Sequence, residues 1–126
     1  MSAEERLRPH PESRLADPTQ VVDLEAAVRM LRAEAHAAVA GHRQITMFRN
    51  GPVTLVVFVF ATAGHLKEHQ TDGVVTIQVL AGRLAVEVGA QTHELGAVQL
   101  LALGPRVPHT VRALSPSEML LTVHMI

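Results

Sequence analysis

The sequence predicts an all-β domain, an antiparallel sandwich or jelly-roll barrel, with one amphipathic helix in front of it. After Gly41, short runs rich in Val, Leu and Ile follow one another at spacings of roughly ten residues. Turn-forming residues separate these runs at 50–52, 72–73 and 115–117, among other places. No stretch with a helical period lies between the runs, so consecutive strands are expected to pair antiparallel.

The residues before this β region divide into an arm and a helix. Residues 1–18 hold three of the seven prolines and several charges, and they are expected to form an extended or disordered arm. Residues 23–40 are rich in alanine, and Asp23 can cap a helix that Gly41 ends. The apolar stripe of this helix needs a sheet face or a second subunit to pack on. The stripe consists of Leu24, Ala27, Val28, Leu31, Ala35, Ala38 and Val39.

The β region contains seven or eight strands by the same pattern. The candidate runs are Ile45 to Phe48, Val53 to Ala61, Val74 to Leu80, Leu84 to Val88, Thr92 to Leu95, Val98 to Leu103, Thr110 to Ala113 and Met119 to Met125. A chain of 126 residues is long enough for one hydrophobic core and too short for two. We therefore expect an arm and helix over 1–41, followed by one β-barrel domain over 42–126.

The composition is unusually poor in charge. Apolar residues make up 48% of the chain and charged residues 18%, against roughly 25% charged in a typical soluble domain. Such a chain is expected to hide part of its surface, and the interface of a homodimer would do so. Cysteine is absent, which excludes disulfides and thiol nucleophiles.

Charge and aromatic content argue against several classes of partner. The formal net charge is -1, the basic residues are scattered, and there are three Phe but no Trp or Tyr. Nucleic acid is therefore not an expected partner. The charged N-terminus carries no apolar run, so no signal peptide is expected and the cytoplasm is the predicted location. The longest apolar stretch, from Leu55 to Ala61, is far shorter than the ~20 residues of a membrane helix.

Two patterns of glycine and histidine lie inside the β region. The first is Gly64-x4-His69-x-Thr71-x3-Val75-x6-Gly82. The second is the segment 104–109, which reads GPRVPH and ends in a second histidine. Taken together with the strand rhythm, these patterns resemble the cupin family over about residues 42 to 125. That resemblance implies a jelly-roll barrel whose two motifs supply opposite walls of one cavity.

The motifs depart from the family at several places. The usual first motif is Gly, five residues, His-x-His, three or four residues, Glu, six residues, Gly. Here His69 keeps the first histidine place, while Thr71 and Val75 stand in the places of the second histidine and the glutamate. The usual second motif is Gly, five residues, Pro-x-Gly-x2-His, three residues, Asn. Here Arg106 stands in the glycine place and His109 is retained.

In metal-binding members of the family, three histidines and the carboxylate hold one divalent metal such as Fe, Ni, Zn, Mn or Cu in the barrel mouth. The resemblance implies His69 and His109 as the retained ligands. If the segment from Gly64 is extended, alternate side chains share a face, so His65 is a candidate third ligand. His124 on the last strand is a weaker fourth candidate. Loss of two usual ligands is expected to lower metal affinity.

The expected pocket combines polar and apolar residues. Its members are His69, His109, Thr71, Val75, Ile77, Val79 and Val111. Two functions from different classes remain open. The first is a non-catalytic binding module for a small molecule, which the missing ligands favour. The alternative is a metal-dependent enzyme, oxygenase-like or isomerase-like by analogy. Arg106 is read as a solvated turn residue or, alternatively, as a cation that holds an acidic ligand.

Overall fold

The computed structural model describes residues 18–35 and 37–126, so the predicted arm over 1–18 lies outside the described residues except for residue 18. One helix and nine strands follow one another along the described chain. They are α1 Leu24–Ala33, β1 His42–Asn50, β2 Val53–Phe60, β3 His65–His69, β4 Val74–Ala81, β5 Arg83–Val88, β6 Gln91–Gly96, β7 Leu100–Leu103, β8 His109–Ala113 and β9 Ser117–His124.

The strands form two antiparallel sheets that face each other. The larger has the order β1-β2-β9-β4-β7 and the smaller the order β3-β8-β5-β6. Because β9 returns between β2 and β4, strands from the two ends of the domain are neighbours, as in a jelly roll. The predicted all-β barrel is confirmed. Nine strands are present where seven or eight were predicted, since the sequence HLKEH of β3 shows little of the apolar alternation that marks a strand.

The core lies between the sheets and is continuous. Its members are Val56, Phe58, Phe60, Val75, Ile77, Val79, Leu84, Val86, Leu95, Leu103, Val111, Ala113 and Met119. Strand β2 is also buried on its other face, where Val57 and Val59 pack against α1. This explains why β2 is apolar at nearly every position instead of alternating.

Helix α1 packs across the outside of the larger sheet, as predicted. Its buried residues Ala27, Val28 and Leu31 contact Ile45 and β2. Burying a side chain such as Leu31 fully contributes about 1.5–3 kcal/mol, so this contact fixes the helix on the barrel.

The helix is shorter than predicted. Asp23 caps its start, since its side chain accepts a hydrogen bond from the backbone N–H of Ala26 at 2.9 Å. The last helical residue is Ala33, however, and Glu34 is already extended. Val39, which was expected in the apolar stripe, is 74% exposed and forms a β-bridge with His42. A further helical turn would have no surface to pack on, and short helices depend on such packing.

Among residues 18–35 and 37–126, the structure shows no helix of the length and apolarity needed to cross a membrane. The division between a 1–41 segment and a 42–126 barrel stays a prediction, as does the cytoplasmic location.

Candidate functional site

Two histidines lie side by side at one end of the barrel. His69 ends β3 and His109 begins β8, and the two residues are directly paired across these strands. Their ring centroids are 4.3 Å apart and the ring planes are inclined by 56°. The resemblance predicted that the two motifs form opposite walls of a cavity, whereas the structure places both histidines on neighbouring strands of the smaller sheet with their rings close together. We call His69 and His109 the histidine pair.

Backbone contacts between the two motif loops position the histidine pair. Arg106, in the glycine place of the second motif, adopts a left-handed φ of 59°. Its N–H donates to the carbonyl of Thr71 at 2.7 Å, which ties the loop before β8 to the loop after β3. At the start of the first motif, a Cβ on Gly64 would lie 2.2 Å from the carbonyl oxygen of Gly41. Only glycine allows the chain to pass there.

Each ring of the histidine pair is held by one hydrogen bond. Nδ1 of His109 donates to the carbonyl of Val107 at 2.9 Å, and Nδ1 of His69 donates to the carbonyl of Lys67 at 2.8 Å. A carbonyl oxygen can only accept, so the hydrogen must be on Nδ1 in both rings. When the rings are neutral, each Nε2 therefore carries a lone pair and accepts hydrogen bonds.

The two histidines differ in exposure. His109 is 2% exposed, and its Nε2 has no hydrogen-bond partner among the residues that the structure describes. Burial lowers the pKa of His109 below its ordinary value of 6.5, the hydrogen bond to Val107 raises it, and the nearby His69 lowers it. His109 is consequently neutral at pH 7. His69 lies exposed on the edge strand β3, which forms the open side of the pair.

His65 does not join the histidine pair, contrary to the sequence-based expectation. It is paired with Arg112, and the next residue, Leu66, is paired with the buried Val111. Directly paired residues share a face, so His65 points outward with Arg112 while Leu66 packs toward the core. A bulge after Leu66 then shifts the alternation and turns His69 inward. The prediction assumed a regular strand and was wrong for this reason.

His124 also lies away from the histidine pair. It pairs with Val74, whose side chain is on the opposite face from the inward Val75. The end of β9 therefore directs this histidine to the outside of the barrel, where it is exposed.

The apolar residues expected in the pocket all belong to the barrel interior. Those residues are Val75, Ile77, Val79 and Val111, which are at most 3% exposed and pack in the core. Val75 is paired with Leu103, the last residue of β7, and the loop after Leu103 leads directly to His109. Val75 thus lies at the same end of the barrel as the histidine pair. These side chains are too deeply buried to line an open pocket, and we call them the apolar floor.

Thr71, which stands in the second histidine place, uses its hydroxyl locally. Its Oγ1 accepts from the N–H of Gly73 at 3.2 Å and donates to Sδ of Met125 at 3.5 Å. The hydroxyl therefore stabilises the turn into β4.

The residues present do not fit a resident metal. In the described part of the chain, no three side chains of His, Cys, Asp or Glu lie close enough to hold a metal ion. An imidazole whose Nδ1 donates to a carbonyl is a suitable ligand, so the histidine pair could supply two. Protein sites for these metals use three or four protein ligands, and neither Thr71 nor Val75 completes such a set.

A groove that the sequence did not predict lies on the outer face of the larger sheet. It has a volume of about 820 Å³ and lies beside α1. Its lining consists of Leu24, Glu25, Val28, Arg29, Arg32, Ala33, Leu80 and Glu118. We place the candidate ligand site at the histidine pair instead, since the groove is an open, mostly apolar step between a helix and a sheet. The apolar stripe of α1 was the only sequence signal for it.

Comparison with known proteins identifies the fold. No protein-family model and no curated protein sequence matches this chain. Its structure resembles a crystal structure of a cupin superfamily protein (DSY2733) from Desulfitobacterium hafniense DCB-2, with a TM-score of 0.69 and 14% identity over 89% of this chain and 95% of that chain.

Two further structures give the same result. An RmlC-like cupin from Shewanella frigidimarina NCIMB 400 has a TM-score of 0.67 and 17% identity over 74% of this chain and 84% of that chain. KdgF from Halomonas sp. has a TM-score of 0.67 and 15% identity over 75% of this chain and 90% of that chain. The chain therefore has the cupin fold. Identities this low carry no statement about its ligand or reaction.

Proposed function

We propose that this cupin-fold chain binds a small molecule at the histidine pair without a resident metal. The observation that supports the proposal is the Nε2 of His109, a buried acceptor without a hydrogen-bond partner in the described residues. Leaving such an atom unpaired costs about 1–3 kcal/mol, and buried polar groups in native proteins nearly always have a hydrogen-bond partner. A bound ligand that pairs with Nε2 would recover this free energy.

The surroundings of the histidine pair suit a ligand. The core residue Val111 lies two residues after His109 on the same face of β8, and hydrogen bonds made in such apolar surroundings are stronger than in water. His69 lies on a short edge strand in which four of five residues are exposed. Such an element opens at low cost in free energy, so we propose β3 as the side from which a ligand reaches His109.

A fragment screen by NMR on uniformly ¹⁵N-labelled protein tests the proposal. Fragments are expected to shift the resonances of His69, His109 and their neighbours. This response should disappear in His69→Ala and persist in the matched control His65→Ala, which changes the same residue type on the outward face of the same strand. A screen in which no fragment reaches the histidine pair would contradict the proposal.

Metal analysis distinguishes this function from the metal-dependent enzyme that the sequence left open. Protein purified without a histidine tag and without chelators is expected to contain far less than one metal ion per chain. One equivalent of Fe, Ni, Zn, Mn or Cu that is lost in His69→Ala and kept in His65→Ala would favour the enzyme.

We also propose that the chain forms a homodimer through the outer face of β9, β4 and β7. This face presents two uncharged rows across the three strands. The rows are Leu120, Gln78 and Leu100, and Thr122, Thr76 and Ala102. Leu100 is 51% exposed, and α1 covers the neighbouring β1 and β2, with Leu120 packed at the margin of the helix contact and the groove beside it. Two uncharged rows of this kind suit contact with a second copy of the chain.

Sedimentation equilibrium tests the dimer. The expected mass is twice the 13.6 kDa of one chain. Leu100→Glu should shift the equilibrium toward the monomer, because it places a charge on the most exposed apolar side chain of these two rows, on the edge strand β7. Ala90→Glu adds the same charge to an exposed turn between β5 and β6 and should leave the mass unchanged. A wild-type monomer at micromolar concentration would refute the dimer.

A further inference from the structure

The hydrogen bonds of the histidine pair define what kind of ligand it can recognise. Both Nδ1 atoms are already committed to the carbonyls of Lys67 and Val107. In neutral rings the remaining Nε2 atoms are acceptors, and the pair offers no ring N–H to a ligand. A carboxylate or a phosphate placed against these atoms would meet lone pairs only. A group with N–H or O–H donors would meet two acceptors.

The charges around the histidine pair do not compensate for this. The segments 65–72 and 104–109, which carry the pair, contain four charged residues. They are Lys67, Glu68, Asp72 and Arg106, two of each sign, and all four are exposed. The local charges therefore cancel, and an anion gains no net attraction that could replace missing donors. A neutral ligand needs no opposite charge, so the same cancellation does not weaken its binding.

We propose that the ligand is neutral and presents two hydrogen-bond donors on one group, such as a primary amide, to the Nε2 atoms of His69 and His109. This inference rests on the proposed binding function. An amide NH₂ carries two donors on a single nitrogen. The ring centroids are 4.3 Å apart, so the two rings are close enough for one amide group to contact both of them.

His69 is the ring that yields when the ligand arrives. His109 is sealed by its surroundings at 2% exposure, whereas His69 is exposed and follows a bulge on the edge strand. Displacement of β3 at this bulge moves His69 together with Lys67, so Nε2 of His109 can be reached while the hydrogen bond that holds the His69 ring stays in place. Binding is therefore expected to shift the resonances of β3 more than those of β5.

Matched probes that differ only in donor chemistry test the inference. At pH 8, acetamide and acetate, and then benzamide and benzoate, are titrated into ¹⁵N-labelled protein while long-range ¹H–¹⁵N spectra report each imidazole nitrogen. In the free protein, Nε2 of both histidines should give the signal of an unprotonated nitrogen. The amides should shift both Nε2 signals. The carboxylates should bind at least about tenfold more weakly, because a carboxylate has no donor and would leave both Nε2 acceptors without a hydrogen bond.

The outcomes separate the inference from the function on which it rests. Carboxylates that bind as tightly as the amides, or an Nε2 that is protonated in the free protein, would overturn the donor inference and leave ligand binding intact. The same holds if neither amide binds while other fragments still shift the histidine pair. If no fragment reaches the pair at all, the proposed function itself fails. Comparing probes on the wild-type protein keeps the test independent of whether a variant folds.

Discussion

Replacing His109 with leucine should stabilise the protein while it abolishes ligand binding. The substitution removes the unpaired Nε2, whose burial costs about 1–3 kcal/mol. It also removes the hydrogen bond from Nδ1 to Val107, which contributes about 0.5–1.5 kcal/mol. Leucine is of similar size and suits the apolar floor formed by residues such as Val111. The difference is a gain of about 1 kcal/mol in the free energy of unfolding.

Urea denaturation followed by circular dichroism measures this change. A gain of about 1 kcal/mol corresponds to an increase of roughly 4 °C in the melting temperature for a domain of this size. His65→Leu on the outward face is the control and should change the stability little. A loss of more than about 1 kcal/mol in His109→Leu would show that this imidazole stabilises the fold, and would remove the main support for a ligand site.

Three further predictions follow from single features of the structure. Because burial lowers the pKa of His109, the unfolded chain binds more protons than the folded chain below pH 6.5. Wild-type stability should therefore fall as the pH drops from 6.5 toward the lowered pKa. Urea denaturation of His109→Leu should not show this part of the pH dependence. Val98→Gly should stabilise the protein by about 0.5–1 kcal/mol, since a β-branched residue at a φ of 61° is strained. Gly89→Val introduces such a residue at a φ of 60° and should destabilise the protein by about 1 kcal/mol. Melting temperatures that both rise or both fall would refute this. The double substitution Thr71→His and Val75→Glu should lower the melting temperature without metal, because it buries a carboxylate at a position that is 3% exposed. One equivalent of Ni²⁺ should raise the melting temperature again. A variant that does not respond to the metal would show that position 75 cannot reach the histidine pair.

The sequence pattern was sufficient for the elements whose side chains divide cleanly between core and surface. Strands β2 and β4 carry long runs of β-branched and aromatic residues, and both were predicted within a few residues. Strand β3 was not, because a polar edge strand is held by backbone pairing with β8 and needs few apolar side chains. The C-terminal end of α1 was overestimated since alanine favours a helix whether or not a surface lies beneath it.

The candidate site shows the same division. The resemblance to the cupin motifs implied that the histidine pair and Val75 lie together at the barrel mouth. The separation of His65 and His69 onto opposite faces depends on one extra residue in β3, and a bulge of this kind has no clear signature in the segment HLKEH. The anchoring of both rings by carbonyls two residues earlier depends on local backbone direction as well. Neither feature can be derived from residue types alone.

The mouth of the barrel keeps its shape although Thr71 and Val75 stand in the places of two usual metal ligands. The contacts that position the histidine pair are made by the backbone: the close approach at Gly64 and the hydrogen bond from Arg106 to the carbonyl of Thr71. Arg106 adopts a left-handed conformation, which costs a residue other than glycine about 1–2 kcal/mol. A side chain can therefore change from ligand to non-ligand without moving the loops. Under the proposed function, the mouth offers a ligand two neutral acceptors above an apolar floor. Such a surface selects a ligand by its hydrogen-bond donors, which is why the comparison of amides with carboxylates is the sharpest test of what this chain binds.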